Sequence, residues 1–143
     1  MIPLERQREI LRLINNNGVA SINFRKCDLI HIGGSVCKEN LSTTGSLAAE
    51  FLKNLSIDMA FISTSSWNLK GLTTPNENKI PVKKAILEAS KQNILVTDSS
   101  KYGKVATFFV CPLTVFDQII CDKGLFENVR DALKGLSIKL DLG

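Results

Sequence analysis

The chain has 143 residues, 44% apolar and 22% charged, which supports one domain with a real core and excludes wholesale disorder. Four prolines and nine glycines exclude collagen-like and low-complexity readings. Apolar runs stay far below the roughly 18 residues needed to span a bilayer. Glu5, Arg6, Arg8 and Glu9 precede any apolar stretch, unlike a secretory signal. A cytoplasmic protein with no membrane partner is expected.

The net charge of +4 is uneven. Arg6, Arg8, Arg12, Arg25 and Lys26 oppose only Glu5 and Glu9 in the first 26 residues. Such a basic end fits an anionic partner such as nucleic acid, or simply a solvated helix face. Cys27, Cys37, Cys111 and Cys121 form no CxxC pair, so neither zinc nor redox chemistry is expected, and small buried thiols are.

In chain order, Pro3 to about Asn16 reads as a helix with Ile10, Leu13 and Ile14 on one stripe, stopped by Asn15-Asn16-Asn17-Gly18. Asp28–Ile32 reads as a strand closed by Gly33-Gly34, followed by polar residues up to Thr44. A helix over about 46–55 has Ala48, Phe51, Leu52 and Leu55 on one side. Asp58–Ile62 is a short apolar strand of the kind covered on both faces. Residues 63–78 read as a polar loop, then a helix runs to Ser90. Pro81 fits only its first turn, so regular helix starts near Lys79 or Ile80. Strands follow at 93–97, 107–110 and 118–121. Phe126, Val129, Leu133 and Leu136 mark a last helix, and 137–140 a last strand. Short apolar strands alternating with helices predict an α/β layer with a largely parallel sheet. Ligands then bind beyond the carboxyl ends of its strands. Two polar loops leave such ends, one after Ile62 and one after Thr97.

The first loop, Ser63-Thr64-Ser65-Ser66-Trp67-Asn68, offers four consecutive hydroxyls to a phosphate or sugar, or forms a plain polar turn. The second, Asp98-Ser99-Ser100-Lys101-Tyr102-Gly103, sets a carboxylate and an ammonium beside two hydroxyls. Lys101 can neutralise an anion while Asp98 accepts from a sugar hydroxyl; the alternative is an Asx-type turn with a solvated lysine. Gly71-Leu72-Thr73-Thr74-Pro75 leads into the helix carrying Lys79, Lys83 and Lys84. No GxGxxG or Walker A pattern occurs, which removes the usual dinucleotide and nucleoside-triphosphate readings. The single histidine, His31, lies in the expected strand without a ligand or triad partner and reads as a core or strand-face residue. No catalytic residue, metal or cofactor is expected.

These motifs, in this order, resemble the DeoR/GlpR family of bacterial transcriptional regulators. Met1 to Leu11 resembles the first helix of that family's winged helix-turn-helix. Gly33-Gly34 to about Gly124 resembles its effector domain, most specifically at 58–62, Gly71-Leu72-Thr73-Thr74-Pro75, Val82-Lys83-Lys84-Ala85-Ile86 and Asp98 to Gly103. The resemblance implies an incomplete effector domain over 27–143, with an α/β fold like that of ribose-5-phosphate isomerase and CoA transferases. It implies one remnant helix of the DNA-binding domain over 1–22. It also implies a phosphorylated-sugar effector, control of sugar-catabolic genes often by repression, and an oligomeric assembly.

Carried over by position, Ser63, Thr64, Ser65, Ser66, Asn68, Lys83, Asp98 and Lys101 line or support the effector pocket. Arg6, Arg8 and Arg12 are weak candidates for nucleic-acid contact. Relatives often have glycine near Ser66, so serine there implies a different backbone angle. Family members are generally much longer. Here the turn, recognition helix, wing and first effector-domain strand have no room, as if an internal deletion joined residues near 22 to residues near 27. One short basic helix can touch phosphates but not read bases, so specific DNA binding is expected to be impaired. The alternative is a stand-alone sugar-phosphate-binding protein that modulates full-length relatives through mixed oligomers. An enzyme using Lys101 and Asp98 as acid and base is disfavoured, because no second acid of clear role accompanies them.

Overall fold

The computed structural model describes residues 30–143. The expected helix over 3–16, its three arginines and Cys27 lie outside the described residues. The predicted strand over 28–32 is not formed at its described end: Ile30 to Ile32 have no strand pairing, and His31 is exposed rather than packed. Ile32 instead packs against a small helix–helix core, which satisfies its side chain without a ladder.

Two short strands follow, β1 (Ser35–Cys37) and β2 (Ser42–Thr44), paired antiparallel. The sequence reading left this polar stretch unstructured. Local hydrogen bonds hold it: Asn40 Oδ1 accepts from the Ser42 amide and hydroxyl, and Thr44 Oγ1 donates to the Ser35 carbonyl. Helix α1 (Ser46–Leu52) is shorter than expected, because turn-type bonds from Asn54 to Phe51 and from Leu55 to Leu52 close it. Leu55 still packs into the core that α1 shares with α2 (Lys79–Ala89), built on Ala48, Ala49, Leu52, Val82 and Ala85. Pro81 lies in the first turn of α2, where its missing N–H breaks no helical bond.

The central sheet has four parallel strands in the order β3-β6-β8-β9: β3 (Ala60–Ser63), β6 (Asn93–Val96), β8 (Gln118–Cys121) and β9 (Lys139–Leu142). Their apolar blocks are the signal that predicted them. β9 starts two residues later than expected, because Ser137 adopts a left-handed turn (φ 59°) after α3 (Glu127–Gly135). A separate antiparallel sheet comprises β4 (Ser66–Asn68), β5 (Gly71–Thr74) and β7 (Phe108–Pro112). β4 and β5 form a hairpin inside the segment read as a loop. β7 pairs here and not in the parallel layer. The main core joins Ile62, Leu95 and Ile119 of the parallel sheet to Trp67, Leu72 and Val110 of the antiparallel one, with Val129 and Leu133 of α3.

Gly71 lets β5 and β7 approach. A Cβ there would lie 2.1 Å from the Cys111 carbonyl oxygen, on a backbone with φ 149°. Gly71→Ala is therefore expected to cost about 2–3 kcal/mol through forced strand separation. Circular dichroism melting of the variant checks this as a fall in Tm of roughly 6–10 °C.

Candidate functional site

A cavity of about 490 Å³ opens at the carboxyl ends of β3 and β6. The parallel order puts these two ends side by side, as expected for an open α/β sheet. Its polar lining includes Ser63, Thr64 and Ser65 from the turn after β3, Lys101 after β6, and Lys79 and Lys83 from α2. Asn40, Ser42 and Thr43 of the first hairpin and Thr74 of β5 complete it, and Phe61, Ile62, Val82 and Ile86 form its apolar wall.

The four consecutive hydroxyls divide in two. Thr64 and Ser66 are buried and engaged internally: Thr64 Oγ1 donates to the Ser66 carbonyl (2.9 Å), and Ser66 Oγ bonds Thr73. Ser63 and Ser65 are exposed and line the cavity. Ser66 sits in β4 rather than in the lining. It needs no left-handed backbone, since the non-glycine residues with positive φ, among those described, are Leu41 and Ser137. Asn68 is likewise outside the lining. Its Oδ1 accepts from the amides of Lys70 and Gly71 and shapes the β4–β5 turn.

Lys83 is half-buried and donates to the Ser63 carbonyl at 2.6 Å, tying α2 to the end of β3. Burial pushes its pKa down to about 8, and the neighbouring Lys79 charge acts in the same direction. Free of ligand, this lowered pKa makes the folded chain gain stability as pH rises from about 8 towards the ordinary lysine value, because the unfolded chain then binds more protons.

Asp98 lies behind the cavity rather than in its wall. It caps a 3₁₀ turn (Ser99–Lys101), bonding the Ser100 amide and hydroxyl, and pairs with Lys101 at 3.0 Å. The Ser100 hydroxyl, then Lys101, holds its carboxyl below the usual range. The predicted Asx-type turn thus forms, and Lys101 from the same loop lines the cavity.

Sequence reasoning missed Asp122, at the carboxyl end of β8. Its two oxygens accept from the Ser99 amide (2.7 Å) and hydroxyl (2.9 Å). Desolvation opposes its charge, yet these bonds outweigh that and keep its carboxyl low. Gly124 leaves the room: a Cβ there would meet Ser99 Oγ at 2.5 Å. The signal was a carboxylate just past a buried strand, the same pattern as Asp98. Sequence reasoning also missed Ser42, Thr43 and Thr74, and treated Lys79 only as part of a basic helix.

Among the described residues no cysteine lies in the cavity lining. Cys111 and Cys121 are buried, which pushes their pKa values up to about 11 and about 12. Among the described residues no cluster of histidine, cysteine or acidic side chains fits a metal ion.

The sequence model of the DeoR C-terminal sensor domain matches residues 5–123, a span that holds the whole cavity lining. The chain belongs to the DeoR/GlpR family. It is 60% identical over 117 residues to an uncharacterized HTH-type transcriptional regulator of Haemophilus influenzae, covering 82% of this chain and 46% of that protein. It is 47% identical over 137 residues to the uncharacterized HTH-type regulator YgbI of Escherichia coli, covering 94% of this chain and 52% of that one. The glycerol-3-phosphate regulon repressor of E. coli is 26% identical over 136 residues, covering 92% and 54%. The chain spans about half the length of the curated relatives it matches. The sensor-domain match opens at residue 5, inside the segment that the sequence reading gave to a helix-turn-helix remnant.

The Asp122–Ser99 bonds make a specific expectation. Asp122→Ala removes both and is expected to destabilise by about 1–2 kcal/mol. Because its carboxyl is lowered on folding, the wild-type advantage is present above the ordinary carboxylate range and is lost as pH falls through the folded value. Urea titrations of wild type and variant at pH 7 and pH 3 check this, the difference shrinking at the lower pH.

Proposed function

We propose that the chain is a sugar-responsive sensor of the DeoR type whose effector is a phosphorylated sugar, bound in the cavity at the carboxyl ends of β3 and β6. The observation that carries this reading is the grouping of Lys79, Lys83 and Lys101 with the hydroxyls of Ser63 and Ser65 around one cavity. Ammonium groups and hydroxyls are the donors that a phosphate accepts from. The volume suits a small phosphorylated metabolite. Asp98, Asp122 and Ser99 act behind the wall, by holding the turn that carries Lys101. The parallel sheet with its ligand end at adjacent strand termini fits the expected relation to ribose-5-phosphate isomerase and CoA transferases.

In this reading the protein works in the cytoplasm and regulates carbohydrate genes, with specific DNA binding impaired. The support is the short distance between Ile22 and Asp28, which leaves no length for a recognition helix. Arg6, Arg8 and Arg12 then contribute at most sequence-independent phosphate contacts. No helix among the described residues is long and apolar enough to cross a membrane. A second reading, a sensor that joins full-length relatives in mixed oligomers, is favoured by Leu47 and Phe51. They lie one turn apart on α1 and are exposed. Co-purification of the tagged chain with a full-length paralogue tests it, and recovery of the chain alone counts against it.

The effector reading is tested by thermal melting with a panel of sugar phosphates. A rise in Tm with a phosphorylated compound, absent with its unphosphorylated parent, is expected, since a ligand stabilises the fold that binds it. No rise with any member sinks the reading. A bound phosphate also pulls the Lys83 pKa back up, so binding above about pH 8 requires proton uptake. Affinity is expected to be flat from pH 7 to 8 and then to fall up to about tenfold per pH unit. Titration calorimetry across that range, in two buffers of different ionisation enthalpy, measures the uptake. Lys83→Met should abolish the slope along with much of the affinity.

A further inference from the structure

The cavity lining is rich in donors and poor in acceptors. Lys79, Lys83 and Lys101 contribute three ammonium groups, and among the described residues no Asp or Glu side chain lies in the wall. Asn40 is the only lining side chain, among the described residues, that offers an amide oxygen, and that oxygen already accepts from Ser42. A neutral polyol needs acceptors for its own hydroxyl protons, most effectively carboxylates or amides. This wall supplies serine and threonine hydroxyls instead, which can donate equally well. It is matched to a ligand that mainly accepts.

The cations also occupy two separate elements. Lys79 and Lys83 lie one turn apart on α2, where neighbouring side chains reach a common point. Together they balance one phosphate dianion. Lys101 comes from the 3₁₀ turn after β6. Asp98 holds it at 3.0 Å from behind the wall, using part of its donor set and fixing its direction. Asp98 offsets the Lys101 charge, but the ammonium protons it leaves unused still line the cavity from a second element, a donor position apart from the Lys79 and Lys83 pair and with hydroxyls nearby. Resting on the phosphorylated-ligand reading above, we propose that this site selects a ligand with two anionic groups, a phosphorylated sugar acid, over a sugar or polyol phosphate of the same carbon number. Lys79 and Lys83 receive the phosphate and Lys101 receives the carboxylate, each by charge-assisted hydrogen bonds.

Matched pairs test it on the full chain by titration calorimetry: 3-phosphoglycerate against glycerol 3-phosphate, 4-phosphoerythronate against erythrose 4-phosphate, and 6-phosphogluconate against glucose 6-phosphate. In at least one pair the acid should bind tenfold or more tightly than its partner. Lys101→Met should bring that ratio towards one, whereas Lys101→Arg should keep it; circular dichroism confirms that both variants fold. If phosphorylated compounds bind but acid and neutral partner agree within threefold in every pair, the two-anion inference is overturned and the phosphate reading stands. A ratio unchanged by Lys101→Met overturns the assignment of the carboxylate to Lys101. If no compound of either kind binds, the phosphate reading itself fails and the inference falls with it.

Discussion

The candidate site depends on one placement, the Lys83 ammonium resting on the Ser63 carbonyl at 2.6 Å. This bond joins α2 to the carboxyl end of an edge strand. It satisfies one of three ammonium protons and leaves the charge without a carboxylate partner among the described residues. A half-buried cation of this kind is costly, and its lowered pKa is the sign of that cost. The helix–helix core of α1 and α2 holds the lysine there regardless, because Val82 and Ala85, its neighbours in the helix, are buried against Ala48, Ala49 and Leu52. Packing thus positions a charge that the fold alone would prefer to expose. An anion is the partner that relieves it.

The second cationic position is built differently. Lys101 is not pressed into place by apolar packing. It is held by a relay of polar contacts, from Asp98 to Lys101 within the 3₁₀ turn and from Asp122 to Ser99 across to β8. Both carboxylates sit at the carboxyl ends of adjacent parallel strands, so the sheet register sets the turn. Each pair is solvent-accessible and individually weak. Their value lies in direction: two anchored oxygens on Ser99 and one on Lys101 restrict the orientations open to a long side chain, and less entropy is then lost when a ligand binds.

The sequence made the apolar parts of this arrangement legible and the polar parts only partly so. Asn93–Val96 and Gln118–Cys121 were readable because each is a continuous apolar block. α2 was readable from the three- and four-residue spacing of Val82, Ala85, Ile86 and Ala89. β4, β5 and the β1–β2 hairpin were not, since three- or four-residue strands of serine, threonine and asparagine look like loop. The strand over 107–110 is legible as β7, but its antiparallel pairing with β5 is not, because periodicity reports burial and not the partner. Among the site residues, the hydroxyl run after β3 was recognised as a unit. Ser63 ends β3 and Thr64 and Ser65 form the turn beyond it, at the cavity, while Ser66 already belongs to β4 and bonds Thr73. Asp122 carries the same signal as Asp98, but its role is not legible: its partner is 23 residues away, and only the parallel pairing of β6 with β8 brings the two together.

That division bears on how much of the regulator this segment needs in order to sense. Among the described residues, the cavity lining falls between Ile32 and Lys101, drawn from Ile32, the first hairpin, β3 and the turn after it, β5, α2 and the turn after β6. Residues 32–142 also form one compact unit with its own apolar core. As proposed functions, ligand capture and nucleic-acid contact place different demands on the chain: the first needs the register of a parallel sheet and the packing of two short helices. Coupling between them is a different matter. It requires a second state in which Lys83 leaves the Ser63 carbonyl for the ligand, and a segment whose position depends on which of the two it holds. The bond from α2 to β3 is the contact that an anion would compete for, so any such signal would start as a shift of α2 against the edge of the sheet.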